Sequence, residues 1–162
     1  MSSAAVPPCP KCNASLSYRD RRKRIRRKEG GERDWLKIRR FRCEGCGALH
    51  CELPDCLTKF KHYETEVISG VLDGLVVPED EDSEDYPSMQ TMLRWLRWLQ
   101  MNLANIEGYL RRAGMEILGL EEELLTSRAS LLEAIRERHR NWLEITQRII
   151  CNSGGWLSSI PW

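Results

Sequence analysis

Two Cys-x2-Cys pairs bracketing a basic run, and a second half whose large apolar residues recur at helical spacing, predict a small zinc ribbon followed by a mainly α-helical domain. The charge distribution supports that division. Residues 1–62 hold 16 Lys and Arg against 7 Asp and Glu, residues 63–93 hold none against 9, and residues 94–162 hold 9 against 8. A formal net charge of +1 therefore conceals a basic head, an acidic middle and a balanced tail. The expected organisation is a ribbon with a basic finger over 1–58, a first helix and connection over 59–77, an acidic linker over 78–87 and a helical bundle over 88–162.

The ribbon rests on Cys9-Pro10-Lys11-Cys12 and Cys43-Glu44-Gly45-Cys46, with thirty residues between them. Each knuckle turns tightly enough for both its sulfurs to reach one ion, so Cys9, Cys12, Cys43 and Cys46 are the candidate ligands of a single structural Zn²⁺. Gly45 and Gly47 suit the reversed backbone of such a turn. The gap exceeds the usual ~15–20 residues, and disulfide or redox pairing are the alternatives. The opening residues lack the charged-then-apolar order of a signal peptide, and no apolar run approaches the roughly 18 residues of a membrane span. A cytoplasmic, reducing location with no membrane partner is expected, which favours metal over disulfides. Cys51, Cys56 and Cys151 are left over, with Cys151 expected to pack as a small buried residue. His50 or Cys51 could replace a thiolate, although strand-end packing is the expected role of each.

Between the knuckles, residues 19–28 carry eight basic side chains against Asp20, with Ile25 the only apolar one. A run that cannot bury itself reads as a projecting loop or disordered finger ending at Glu29-Gly30-Gly31-Glu32. Residues 35–42 read as a strand, with Trp35, Ile38 and Phe41 among cations. Arg21, Arg22, Lys23, Arg24, Arg26, Arg27 and Lys28 of the finger, with Arg39, Arg40 and Arg42 of the strand, form a candidate surface for nucleic-acid phosphates. Duplex DNA is the expected partner, and RNA is not distinguished from it. Such runs grip backbones and specify little sequence. The alternative is a solvated charge run.

A helix is expected over 62–73, stopping at Gly74. Six carboxylates among residues 79–85 read as a solvated linker. Ser88 is placed to cap a helix over 88–112, whose expected buried stripe is Leu96, Leu99, Leu103, Ile106 and Leu110, with Trp95 and Trp98 at its sides. Helices near 117–126 and 128–151, either separate or fused in one, would complete a bundle or a homodimer seam, with Trp156, Ile160 and Trp162 folding back. No enzyme is expected: His62 and His139 have no evident nucleophile partner, and no phosphate-binding glycine loop is present.

Cys-Pro-x-Cys at 9–12, the run Ile38-Arg39-Arg40-Phe41-Arg42-Cys43-Glu44-Gly45-Cys46-Gly47, then Leu53-Pro54-Asp55-Cys56 and Pro87-Ser88-Met89-Gln90-Thr91 with Arg94-Trp95 resemble an uncharacterised bacterial family of short zinc-ribbon proteins associated with transposases. The resemblance implies a helix-turn-helix-like second half and DNA binding within a mobile element. It places Ser88, Gln90, Thr91, Arg94 and Arg97 where a recognition helix would face DNA, and it matches Cys9, Cys12, Cys43 and Cys46 to metal ligands. One departure is the stretch over 75–87, far longer than the ~3–4-residue turn of that motif. The expected function is a DNA-binding accessory protein of transposition or recombination. The alternative is an adaptor that docks on a transposase or recombinase and oligomerises through its helices.

Overall fold

The computed structural model describes residues 6–77, 79, 87–113 and 129–159. Its first part is a three-stranded antiparallel sheet in the order β1 (Leu16–Arg27), β2 (Arg33–Cys43) and β3 (Leu49–Cys51). β1 and β2 form a long hairpin closed by a 3-10 turn at Glu29–Gly31, where Gly30 and Gly31 have φ of 74° and 76°. Those angles lie in the left-handed region that glycine enters without steric cost.

The basic run is therefore neither a loop nor a disordered finger: it is β1. Three inward arginines explain how so charged a segment is held. The Arg24 guanidinium donates to the carbonyls of Thr58 and Lys61 at 2.6 and 2.5 Å. Arg26 makes a two-pronged contact with Asp34 at 2.9 and 2.5 Å and reaches Glu64 at 3.2 Å. Arg40 of β2 grips Asp20 through two 2.5 Å bonds. Segment 54–64 thus covers one face of the hairpin and supplies acceptors for its charge. A register shift between Tyr18 and Asp20 leaves Arg19 outside the ladder.

The remainder is mainly helical: α1 (Thr65–Leu72), α2 (Met89–Ala113), α3 (Leu131–Arg138) and α4 (Trp142–Asn152) among the described residues. α1 and α2 match the expected helices closely. The helix expected over 128–151 is two helices, parted where His139, Arg140 and Asn141 put three exposed polar residues in succession. The one expected near 117–126 lies outside the described residues, as does the acidic run apart from Glu79.

The buried stripe of α2 is rotated from the expected one. Met92, Trp95, Trp98, Leu99, Asn102, Ile106 and Leu110 are buried, whereas Leu96 and Leu103 are exposed. An indole removes far more surface from water than a leucine side chain, so Trp95 and Trp98 set which face turns inward. Asn102 is buried because its amide is satisfied: Nδ2 donates to the carbonyls of Trp98 and Ser158, and Oδ1 accepts from the Ser158 amide. That pairing holds the terminal segment on α2. Trp156 is nonetheless exposed, Leu157 packs on the core, and Ile160 and Trp162 lie outside the described residues.

The helical core contains no residue of the sheet. The two parts are joined instead by polar contacts, by one close backbone approach and by Tyr63, which Arg27 of β1 overlies and which packs edge-on against Trp95 of α2. Arg148 pairs with Asp55, Gln147 donates to the Thr58 hydroxyl at 3.0 Å, and Gly154 sits against the Pro10 carbonyl. No helix among the described residues is long and apolar enough to cross a membrane.

Candidate metal centre

The two knuckles repeat one backbone pattern. The Cys9 carbonyl accepts from the Asn13 amide at 2.8 Å, and the Cys43 carbonyl accepts from Gly47 at 3.1 Å. The Cys9 amide donates to Ala14 O, and the Cys43 amide to Ala48 O, at 2.8 and 2.9 Å. The residue after each second cysteine is left-handed, Asn13 with φ of 61° and Gly47 with 69°. Asparagine and glycine are the residues that tolerate this conformation best. Gly45 answers a different need: a Cβ there would stand 2.8 Å from that of Ala14 and 3.4 Å from the Cys12 sulfur, so its small size lets the knuckles close on each other.

That closure brings the sulfurs of Cys9, Cys12, Cys43 and Cys46 within 4.8 Å of one another. Cys9 and Cys46 are 3.8 Å apart, and Cys12 and Cys43 are 3.4 Å apart. Four sulfurs about 2.3 Å from a tetrahedral ion would lie about 3.8 Å apart, so the group could hold one metal ion. Charge also favours one. The Ala14 amide stabilises a Cys12 thiolate, but the Cys43 sulfur, desolvation and the sulfurs of Cys46 and Cys9 outweigh it, and the Cys12 thiol is pushed up to about 11. Cys43 moves down to about 6, chiefly because the Cys46 amide donates to its sulfur. Without a cation the cluster thus favours one thiolate over another, and a divalent ion would relieve that competition.

Cys51 is exposed and is not part of the cluster, and Cys151 is likewise exposed rather than buried. His50 lies against the site without joining it, its Nε2 3.3 Å from the Cys9 sulfur. Burial, then the charge of Lys11, lowers its pKa, leaving a neutral ring that can donate to a thiolate when Nε2 carries the proton.

The other candidate residues separate into two faces of the hairpin. Arg24, Arg26 and Arg40 are engaged with the protein's own acceptors, and Lys28 pairs with Glu32 and Asp34. Arg22 and Arg42 are exposed. The outward row of β1 is Arg21, Lys23, Ile25 and Arg27, and its direct partners on β2 are Arg39, Lys37, Trp35 and Arg33. All but Ile25 are exposed. Arg39 has a two-pronged contact with Glu52 at 2.5 and 2.6 Å, and Arg27 stacks on Tyr63. The other four cations of the row form no ion pair among the described residues. On α2, Gln90, Arg94 and Arg97 are exposed, Thr91 is half-buried, and the Thr91 and Met92 amides donate to the Ser88 carbonyl.

Arg33, Lys37 and Trp35 were missing from the sequence-based surface. The signal for them was Gly30-Gly31: folding the chain back there puts residue 23 opposite 37 and residue 25 opposite 35.

No curated protein and no solved structure matches the chain. A family model described as Domain of unknown function (DUF6431) matches residues 9–95, which span both knuckles, the sheet, α1 and the start of α2. With more than half of its length so matched, the chain belongs to the DUF6431 family.

Proposed function

We propose that the protein is a DNA-binding accessory protein whose amino-terminal part is a zinc ribbon. The observation that carries this reading is the outward face of the hairpin. Arg21 opposite Arg39, Lys23 opposite Lys37 and Arg27 opposite Arg33 set like charges directly across the ladder, an arrangement that opposes pairing. A polyanion laid on that face removes the repulsion and releases counterions as it binds. Cys9, Cys12, Cys43 and Cys46 would hold Zn²⁺, which in this role neutralises thiolate charge and ties the two ends of the hairpin together. Gln90, Thr91, Arg94 and Arg97 at the start of α2 are the candidate second contact. Service to a transposase or recombinase belongs to the proposal through sequence resemblance alone.

The test is DNA binding by the zinc-loaded protein across a salt series, beside a variant with Arg21, Lys23, Arg27, Arg33 and Lys37 all changed to Gln. Affinity should fall sharply, and the slope of log K against log salt should flatten by about 0.9 for each lost phosphate contact. An unchanged affinity and slope would overturn the reading.

The adaptor reading draws on a different surface. Leu93, Leu96 and Leu103 form an exposed apolar stripe on α2 at coiled-coil spacing. A stable dimer, or co-purification with a recombinase and no DNA retardation at physiological salt, would favour it.

A further inference from the structure

We infer that the outward face of the hairpin takes an unpaired polynucleotide strand in preference to a duplex, with Trp35 as the stacking platform. The inference rests on the DNA-binding reading and deepens it. Trp35 is 63% exposed. It lies in the middle of the outward row, between Arg33 and Lys37 on its own strand and opposite Ile25, which Lys23 and Arg27 flank. Among the described residues no aromatic ring packs on it and no cation sits over it. Hydration of guanidinium and ammonium groups explains why the cations are outside; it gives no reason for an indole to stand among them.

The two classes of nucleic acid meet this face differently. A duplex offers phosphates to the cations, but its base faces are stacked on one another, so the indole finds only sugar and groove edges. An unpaired strand offers phosphates and free base faces together, and a cationic track with an aromatic ring is the arrangement that reads both. Same-face residues recur about every 6.7 Å along a strand, so residues 21–27 present a track of roughly 20 Å. That is enough for a short run of nucleotides. A donor of the row that turned to a 2′-hydroxyl oxygen would give up a charge-assisted bond to a phosphate, so the face gains little from the sugar. An unpaired DNA strand and an unpaired RNA strand are equivalent ligands for it.

The experiment is fluorescence anisotropy of labelled oligodeoxyuridylate, oligouridylate and a DNA duplex of matched length, titrated at one salt concentration. The proteins are the metal-loaded wild type, Trp35→Ala, Trp35→Phe and the five-cation variant. Wild type should favour both single strands over duplex, Trp35→Ala should lose about tenfold or more on single strands with little change on duplex, and Trp35→Phe should keep most of the affinity. Equal loss on all three ligands, a duplex preference, or a preference of more than about tenfold for one sugar overturns the inference. The first two results leave DNA binding itself standing. Unchanged binding by the five-cation variant instead removes the DNA-binding reading on which the inference rests.

Discussion

Lys23 and Lys37 are direct partners across the β1–β2 ladder, both exposed on the same face. Opposed like charges cost a sheet a fraction of a kcal/mol, so Lys37→Glu should stabilise the metal-loaded protein by about 0.2–1 kcal/mol. The same change should weaken binding to a polyanion. Denaturant midpoints and salt-dependent titrations measure the two effects, and a variant that lost both stability and binding would contradict the idea that the face is built for a ligand.

The sheet and the helical bundle have separate cores, so a chelator should act on one of them. Metal analysis is expected to give one equivalent of zinc per chain. Chelation, or Cys9→Ser, should collapse amide chemical-shift dispersion over residues 9–51 while helical circular dichroism largely persists. Loss of both signals together would mean that the bundle depends on the metal as well.

The repeated knuckle geometry separates two glycines that a sequence treats alike. Gly47→Asn should be tolerated, because nothing crowds a Cβ there and Asn13 already holds the equivalent left-handed position. Gly45→Ala should speed metal release to a chelator, since its methyl would meet Ala14 and press on the Cys12 sulfur. A colorimetric zinc-release assay distinguishes the two variants.

Glu107 of α2 reaches the first turn of α3, accepting from the Leu131 and Leu132 amides at 3.0 Å each and from the Ser130 hydroxyl at 2.5 Å. Ser130 in turn accepts from the Glu133 amide at 3.2 Å. Glu107→Ala and Ser130→Ala should each cost about 0.5–2 kcal/mol, as lost helix caps do. Because the two side chains share one hydrogen-bond network, the double variant should cost less than the sum.

Arg26, and after it Lys28, holds the Asp34 carboxyl down to about 2, below the ordinary carboxylate range. A carboxylate whose folded pKa is depressed contributes its stability above the unfolded pKa of about 3.9 and loses it as the pH falls toward the folded value. The stability gap between wild type and Asp34→Asn should therefore be constant from pH 7 to about 5 and narrow progressively from about 5 to below 2. A gap that widened on acidification would reverse the assignment.

How far the fold could be read from residues depended on whether local or distant contacts decided each element. The knuckles were legible because ligand spacing is a local constraint, and α1 and α2 because apolar period alone reports them. The conformation of β1 was not: taken by itself, the run of arginines has nothing to bury, and it is ordered by the carbonyls of Thr58 and Lys61 and the carboxylates of Asp34 and Glu64, from 8 to 38 positions away along the chain. Rotation of α2 toward Trp95 and Trp98 was likewise a tertiary choice, made by which side chains fill the space against Ile68 and Leu72. Of the outward cations, the sequence-based surface named Arg21, Lys23, Arg27 and Arg39 but not Arg33 or Lys37, and it could not sort them from the inward ones, because sorting requires the register.

That sorting has an arithmetic outcome for anyone mutating the segment. Within Lys23–Arg27, neighbours in the chain have different occupations: Arg24 and Arg26 anchor the crossing loop, and Lys23 and Arg27 look outward. Single substitutions walked along it should oscillate with a two-residue beat, insoluble or protease-sensitive protein alternating with sound protein whose hold on a polyanion is weaker.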